Sequence, residues 1–260
     1  MKRKLPQSLI LILTFAASLA YCAETKTDSG WRPLPLIKDG KVDPNWMHVG
    51  WGGFVADNET IRTDCDPRGL GLLVYKKERL GNCQIRAVFK TKDKNSNSGV
   101  YVRIADGILD QKDKPGAAFD RDAAGKPSDE SMQKMKASGE RDEGPWYAVH
   151  HGYEVQIAGG GDTWHRTGAV YSLAPSSVIA KPDDWNTMII TLDGDKILVD
   201  LNGQRTTTFD SKSPDLPPRK QWHEPKREPK RPQKGYIGLQ NHDPGDFVWF
   251  KEISMRPIAK

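Results

Sequence analysis

The sequence predicts an all-β sandwich. Short apolar-alternating runs begin at Trp46, clusters of Gly, Asp, Asn and Pro separate them, and no long stretch has helical period. With 260 residues, 37% hydrophobic and 28% charged, the composition is globular, which excludes a fibrous or wholly unfolded chain. Candidate strands in order are Met47–Ala56, Leu70–Tyr75, Cys83–Lys90, Gly99–Ala105, Tyr153–Ala158, Ala169–Leu173, Trp185–Leu192, Ile197–Leu201, Tyr236–Asn241 and Phe247–Met255. Strands of this number and spacing suit two packed sheets in one domain over 46–260, after a lead-in segment at 24–45. Asp193-Gly194 and Asn202-Gly203 supply the positive φ of tight hairpins, so the strands from Trp185 to Phe209 form a meander.

Residues 1–23 read as a secretory signal: Lys2, Arg3 and Lys4, an apolar run from Leu9 to Ala20, then small residues. The protein is therefore expected to be secreted or periplasmic. That apolar run is too short to span a bilayer, which takes about 20 residues. Cys22 follows it, but Tyr21 stands where a lipidated cysteine is preceded by a small residue, which argues against a lipid anchor. Net charge is +5, and removal of the leader lowers it to about +2, so nucleic acid is not an expected partner. Cys65 and Cys83 form an even pair in an oxidising compartment and are candidates for a disulfide.

Two stretches interrupt the strand pattern. Residues 106–145 are polar and rich in Gly, Asp and Lys, with one short helix expected over Asp129–Ala137; residues 213–234 are basic and rich in proline. Long insertions in compact domains are functional lids or mobile surface. The second insertion reads mainly as a solvated charged loop.

Strand residues two apart share a face. On three segments the apolar set takes one face and a polar set almost free of lysine takes the other: Tyr101 with Arg103, Glu154 with Gln156, and Gln240 with His242. Such a face resembles a polar binding cleft more than a solvated sheet. His165 and Tyr171 are candidates for its rim.

Asn97-Ser98-Gly99-Val100-Tyr101-Val102-Arg103, Gly152-Tyr153-Glu154-Val155-Gln156-Ile157, Thr167-Gly168-Ala169-Val170-Tyr171, Trp185-Asn186 and Leu201-Asn202-Gly203 follow in order. Gly235-Tyr236-Ile237-Gly238-Leu239-Gln240-Asn241-His242-Asp243 and Val248-Trp249-Phe250-Lys251-Glu252-Ile253 complete the series, which resembles the 3-keto-disaccharide hydrolase-like domain from about Trp31 onward. The resemblance implies a concanavalin-like jelly roll with long loop insertions, export, and action on sugars whose C3 hydroxyl has been oxidised to a ketone. An oxidoreductase would act upstream. Two departures are Phe250-Lys251-Glu252-Ile253 in place of the family's Phe-Arg-Asn-Ile, and the long insertion before Pro145.

A C3 ketone acidifies the C2 proton, so the C1 bond can break by elimination followed by hydration. The chemistry needs a base near C2, donors to the C3 oxygen and an acid for the departing alkoxide. Glu154 is the expected base, His242 the acid or enolate stabiliser, and Arg103 a fixed cation for a sugar oxygen or the enolate. Gln156, Gln240, Tyr101, Tyr171, His165 and Trp146 are expected to bind substrate. Two other readings stand beside this one: a lectin-like module using Trp146, Tyr147, Trp164 or Trp222 as stacking platforms, and a retaining glycosidase, which requires two carboxylates about 5–5.5 Å apart. No cofactor is assigned; oxygen and imidazole ligands leave room for a divalent metal such as calcium.

Overall fold

The computed structural model describes residues 30–258; the expected leader and Cys22 lie outside them. The described strands are β1 (Arg32–Pro33), β2 (Ile37–Lys38), β3 (Lys41–Val42), β4 (Trp46–Gly50), β5 (Gly53–Asp57), β6 (Thr60–Asp64), β7 (Gly71–Leu80), β8 (Cys83–Thr91) and β9 (Asn97–Ile104). A 3-10 helix (Asp106–Gln111), α1 (Asp129–Glu140) and α2 (Trp146–His151) follow. The chain then continues through β10 (Tyr153–Ala158), β11 (Asn186–Asp193), β12 (Lys196–Leu201), β13 (Gln204–Asp210), β14 (Gly235–Asn241) and β15 (Val248–Pro257).

Two antiparallel sheets make the expected jelly-roll sandwich. One runs β13-β12-β11-β8-β15-β6-β5, with β1 paired to β15, and the other runs β10-β9-β14-β7-β4. Cys83, Ile85, Ala87 and Phe89 of β8 meet Val100, Val102, Val155, Ile157, Ile237 and Leu239 between the sheets. Burial of each large aliphatic or Phe side chain is worth about 1.5–3 kcal/mol. The alternation therefore fixes which face of the five-stranded sheet remains for polar residues.

The meander forms as the turn chemistry requires, with φ of +53° at Gly194, +52° at Asn202 and +83° at Gly203. The single strand expected over Met47–Ala56 is two strands in different sheets. Gly50 and Gly52 turn the chain between them with φ of +92° and +74°. Residues Ala169–Leu173 form turns, with isolated bridges from Val170 to Val155 and Ala174, instead of the expected strand. The helix expected at Asp129 forms and is capped by the Ser128 side chain, which accepts from Ser131 N.

Both insertions pack over the outer face of the five-stranded sheet. Ile108, Met135 and Trp146 join Leu72, Val74 and Ile104 in a second apolar cluster, with Trp222 packed against it. The basic loop is held down. Arg219 pairs with Glu140 at 2.9 Å and Lys226 with Asp142 at 2.7 Å. Arg231 donates to the carbonyls of Gly152 and Lys226, and Arg227 to those of Pro217 and Ser172. Arg219, Lys226, Arg227 and Arg231 thus tie the two insertions to each other and to the sandwich, whereas Lys220, Lys230 and Lys234 stay exposed as expected of a solvated loop.

The expected disulfide is absent. Cys65 and Cys83 are both free. Cys83 lies in the core between the sheets, whereas Cys65 sits beside Asp246 with its Sγ 3.5 Å from that carbonyl. Among the described residues no helix is long and apolar enough to cross a membrane.

Candidate active site

The second apolar cluster roofs a cavity of about 420 Å3 whose floor is the polar face of β9, β10 and β14. Tyr101, Glu154, Gln156 and Gln240 line it from those strands, with His242 just past the end of β14. Antiparallel register places Glu154 opposite Tyr101 and Tyr101 opposite Gly238, so the carboxylate and phenol stand side by side. Tyr101 Oη donates to Glu154 Oε2 at 2.8 Å, and Gln240 Nε2 donates to the same phenol oxygen at 3.3 Å. Glu154 Oε1 has no hydrogen-bond partner, and neither do Gln156 Oε1 and Gln240 Oε1. Three unpartnered acceptors on one floor mark a place prepared for donor groups, since buried polar atoms are otherwise paired.

Glu154 is 8% exposed. Burial pushes its carboxyl up to about 7, against the opposing pull of the Tyr101 hydrogen bond and the His242 charge. Gly99 makes its position available: a Cβ there would lie 2.3 Å from Glu154 Oε1 and 2.8 Å from its Cγ.

His242 has its Nδ1 3.3 Å from both Asp243 and Asp246. Burial alone would lower its pKa, but these two carboxylates outweigh it and hold the ring up to about 10. His242 is therefore an imidazolium at neutral pH. Arg121, from the first insertion, reaches Asp243 at 2.8 Å and completes this charged corner. Among the described residues, His242, Asp243 and Asp246 are the group whose ligand atoms lie close enough, within 4.8 Å of one another, to hold a cation. The imidazolium and Arg121 already neutralise both carboxylates.

Arg103 does not reach the cavity. It takes φ of +52°, and the register of β9 against β14 slips there, so that Tyr236 faces Ile104 while Gly238 faces Tyr101. Two residues oppose one in such a bulge, and the alternation resets. Ile104 joins the cavity-side cluster, whereas Arg103 lies buried within the electrostatic reach of Tyr153 and Cys83 on the inner side. The cation expected at the site from Arg103 comes instead from His242 and Arg121.

The rim residues divide between two cavities. Trp146 lines the first; His165 lines a second, more open one of about 440 Å3; Tyr171 lines both. Both ring nitrogens of His165 are engaged, with Asp162 at 2.9 Å and Ser172 at 3.0 Å. Of the four aromatic platforms considered, Trp146 and Trp222 line the first cavity, packed on each other with centroids 5.0 Å apart. Tyr147 stacks on His151, and Trp164 lines neither cavity. Sequence reasoning missed Asn97, Arg121 and His223 as lining residues. Asn97 opens a quoted motif and was within reach, but Arg121 and His223 lie in insertions without periodicity to orient them.

A family model for a 3-keto-alpha-glucoside-1,2-lyase-like domain matches residues 26–256. Two solved structures, each of a "putative glycosyl hydrolase" from Parabacteroides distasonis ATCC 8503, share the fold. The first is 23% identical, covers 88% of this chain and 99% of its own, and superposes with a TM-score of 0.56. The second is 17% identical with 88% and 94% covered and a TM-score of 0.55. No curated protein matches this chain.

Proposed function

The chain belongs to the 3-keto-α-glucoside-1,2-lyase-like domain family, and on that footing we propose that it cleaves the glycosidic bond of 3-keto-glycosides by elimination and hydration. The observation that carries the reading is Glu154, a buried carboxyl near pKa 7 with one oxygen unpartnered at the floor of the cavity. A general base tuned near the working pH is what abstraction of the C2 proton needs.

Glu154 takes the C2 proton, and the electron pair moves onto the C3 oxygen. The imidazolium of His242 stabilises that enolate as a preorganised charge. The enolate then collapses, C1 loses its substituent, and water adds to C1 while Glu154 returns its proton to C2. Gln156 and Gln240 orient hydroxyls through their unpartnered carbonyl oxygens, and Trp146 and Trp222 pack against the ring. Tyr101, buried on the cavity floor and bonded to Glu154, orients the base. The leader read over residues 1–23 supports export, with an oxidoreductase supplying the ketone.

The retaining glycosidase is less well supported. Besides Glu154 the cavity is lined by Asp243, and that carboxylate is committed to Arg121 and His242. Incubation of the protein with a 3-keto-glucoside and with its unoxidised parent tests the reading. Release from the keto form alone supports elimination; release from the parent alone supports the glycosidase, and saturable binding without release supports a lectin-like module.

A further inference from the structure

The elimination expels the C1 substituent as an alkoxide that needs a proton, and the His242 charge, held beside Asp243 and Asp246, already has the enolate to stabilise. The geometry points to Tyr171, positioned by His223, as the acid that protonates the departing oxygen. This inference rests on the elimination reading above.

Three observations lead there. The two cavities meet, sharing Asn97, Gln156, Tyr171 and His223 in their walls. Glu154 and His242 belong to the first cavity, whereas Lys94, Asn95 and Gln221 line the second, more open and polar one. A glycoside whose oxidised ring lies over Glu154 must carry its C1 substituent through the neck to enter the open cavity. The glycosidic oxygen then sits among those four shared residues, of which Tyr171 alone carries a hydroxyl.

The phenol is also held in place. Tyr171 Oη lies 2.9 Å from His223 Nδ1, and His223 Nε2 lies 2.7 Å from Gln221 Oε1. Tyr171 N donates to the Glu154 carbonyl at 2.9 Å, which ties the segment bearing the acid to the strand bearing the base. Burial and the Glu154 charge raise the phenol above its ordinary pKa, so it keeps its proton at neutral pH.

The C2–H proton goes to Glu154, the C1–O bond breaks as the C1–C2 double bond forms and the C3 ketone is restored, and the Tyr171 proton goes to the departing oxygen. At rest His223 donates from Nε2 to Gln221 Oε1 and accepts the Tyr171 hydroxyl at Nδ1, so the hydroxyl turns from Nδ1 to the departing oxygen as the C1–O bond breaks. Water then adds to C1, its proton returns to Tyr171, and the Glu154 proton returns to C2. The sum is one glycoside and one water giving a 3-keto sugar and an alcohol, with both side chains restored.

An acid matters most for a poor leaving group. Tyr171→Phe is assayed on the 3-keto derivatives of a disaccharide, which expels an alkoxide, and of p-nitrophenyl glucoside, which expels a stabilised phenolate. The expected result is a loss of kcat of about 10²-fold or more on the disaccharide and less than about fivefold on the aryl glycoside. Equal losses on both, or none, overturn the assignment. His223→Gln is expected to show the same split in weaker form, and it carries the test if Tyr171→Phe does not fold; equal effects on both substrates there overturn it too. If the wild-type protein releases product from neither keto substrate, the elimination reading itself fails, which is distinct from a wild-type enzyme whose Tyr171 variant shows no split.

Discussion

Glu154 combines two properties that can be measured separately: it is buried, and one of its oxygens is free. Glu154→Gln keeps the shape and an oxygen for Tyr101 to donate to, but removes the base, so turnover of a 3-keto-glucoside is expected to fall by about 10²- to 10⁴-fold. Stability reports on the same group. Between 4.5 and about 7 the folded state holds a proton that the unfolded state has released. Wild-type stability therefore declines as pH rises through that window, by about 3 kcal/mol. Glu154→Gln should flatten this decline, giving a melting temperature above wild type at pH 8 and close to it at pH 4.5; parallel curves for the two proteins would contradict the burial argument. Gly99 gives a steric control. Its backbone is accessible to alanine, but the added Cβ would collide with the carboxylate. Gly99→Ala is expected to lower kcat more than tenfold at a stability cost of about 1–3 kcal/mol, and an unchanged kcat would show that the carboxylate position is not critical.

At the scale of elements, the sandwich was legible because alternation alone assigns faces. Val100, Val102, Val155, Ile157, Ile237 and Leu239 pack between the sheets, and Glu154, Gln156 and Gln240 reach the opposite face. Alternation failed where the backbone inserts a residue. Arg103 carries nothing in its side chain to announce a left-handed conformation, and the bulge there moved it away from its expected neighbours. The insertions were legible as insertions only. Their packing depends on contacts far apart in sequence, such as Trp146 with Trp222 and Lys226 with Asp142, which no local period encodes. Exposed ion pairs contribute little individually, about 0–1 kcal/mol, so the roof's seating depends on Trp222 as much as on its charges. Arg219→Ala combined with Lys226→Ala is expected to open the 213–234 segment to limited proteolysis and to raise KM several-fold with little loss in global melting temperature. Resistance equal to wild type would contradict the clamp.

Over the whole molecule, one sheet face and two insertions enclose a site from residues spread between Asn97 and Asp243. The chemistry divides by environment. A carboxyl raised by burial stands on β10 and an imidazole raised by two carboxylates stands just past the end of β14, across β9 from it, which suits the base and the electrophile of the proposed elimination near pH 7. Among the described residues, neither Cys65 nor Cys83 contributes a crosslink to this architecture. Addition of a reductant is accordingly expected to leave the melting temperature unchanged, and a marked drop would reveal a bridge.

Cleavage of a glycosidic bond through a proton made acidic by a neighbouring ketone requires the C2–H bond to break. The most direct measurement is product release from a 3-keto-glucoside carrying deuterium at C2, beside the unoxidised parent glucoside. Turnover of the keto substrate with a primary deuterium effect or loss of the label to solvent, and no turnover of the parent, is the predicted result. Cleavage of the parent, or cleavage of the keto substrate with the C2 label fully retained and no isotope effect, would contradict it.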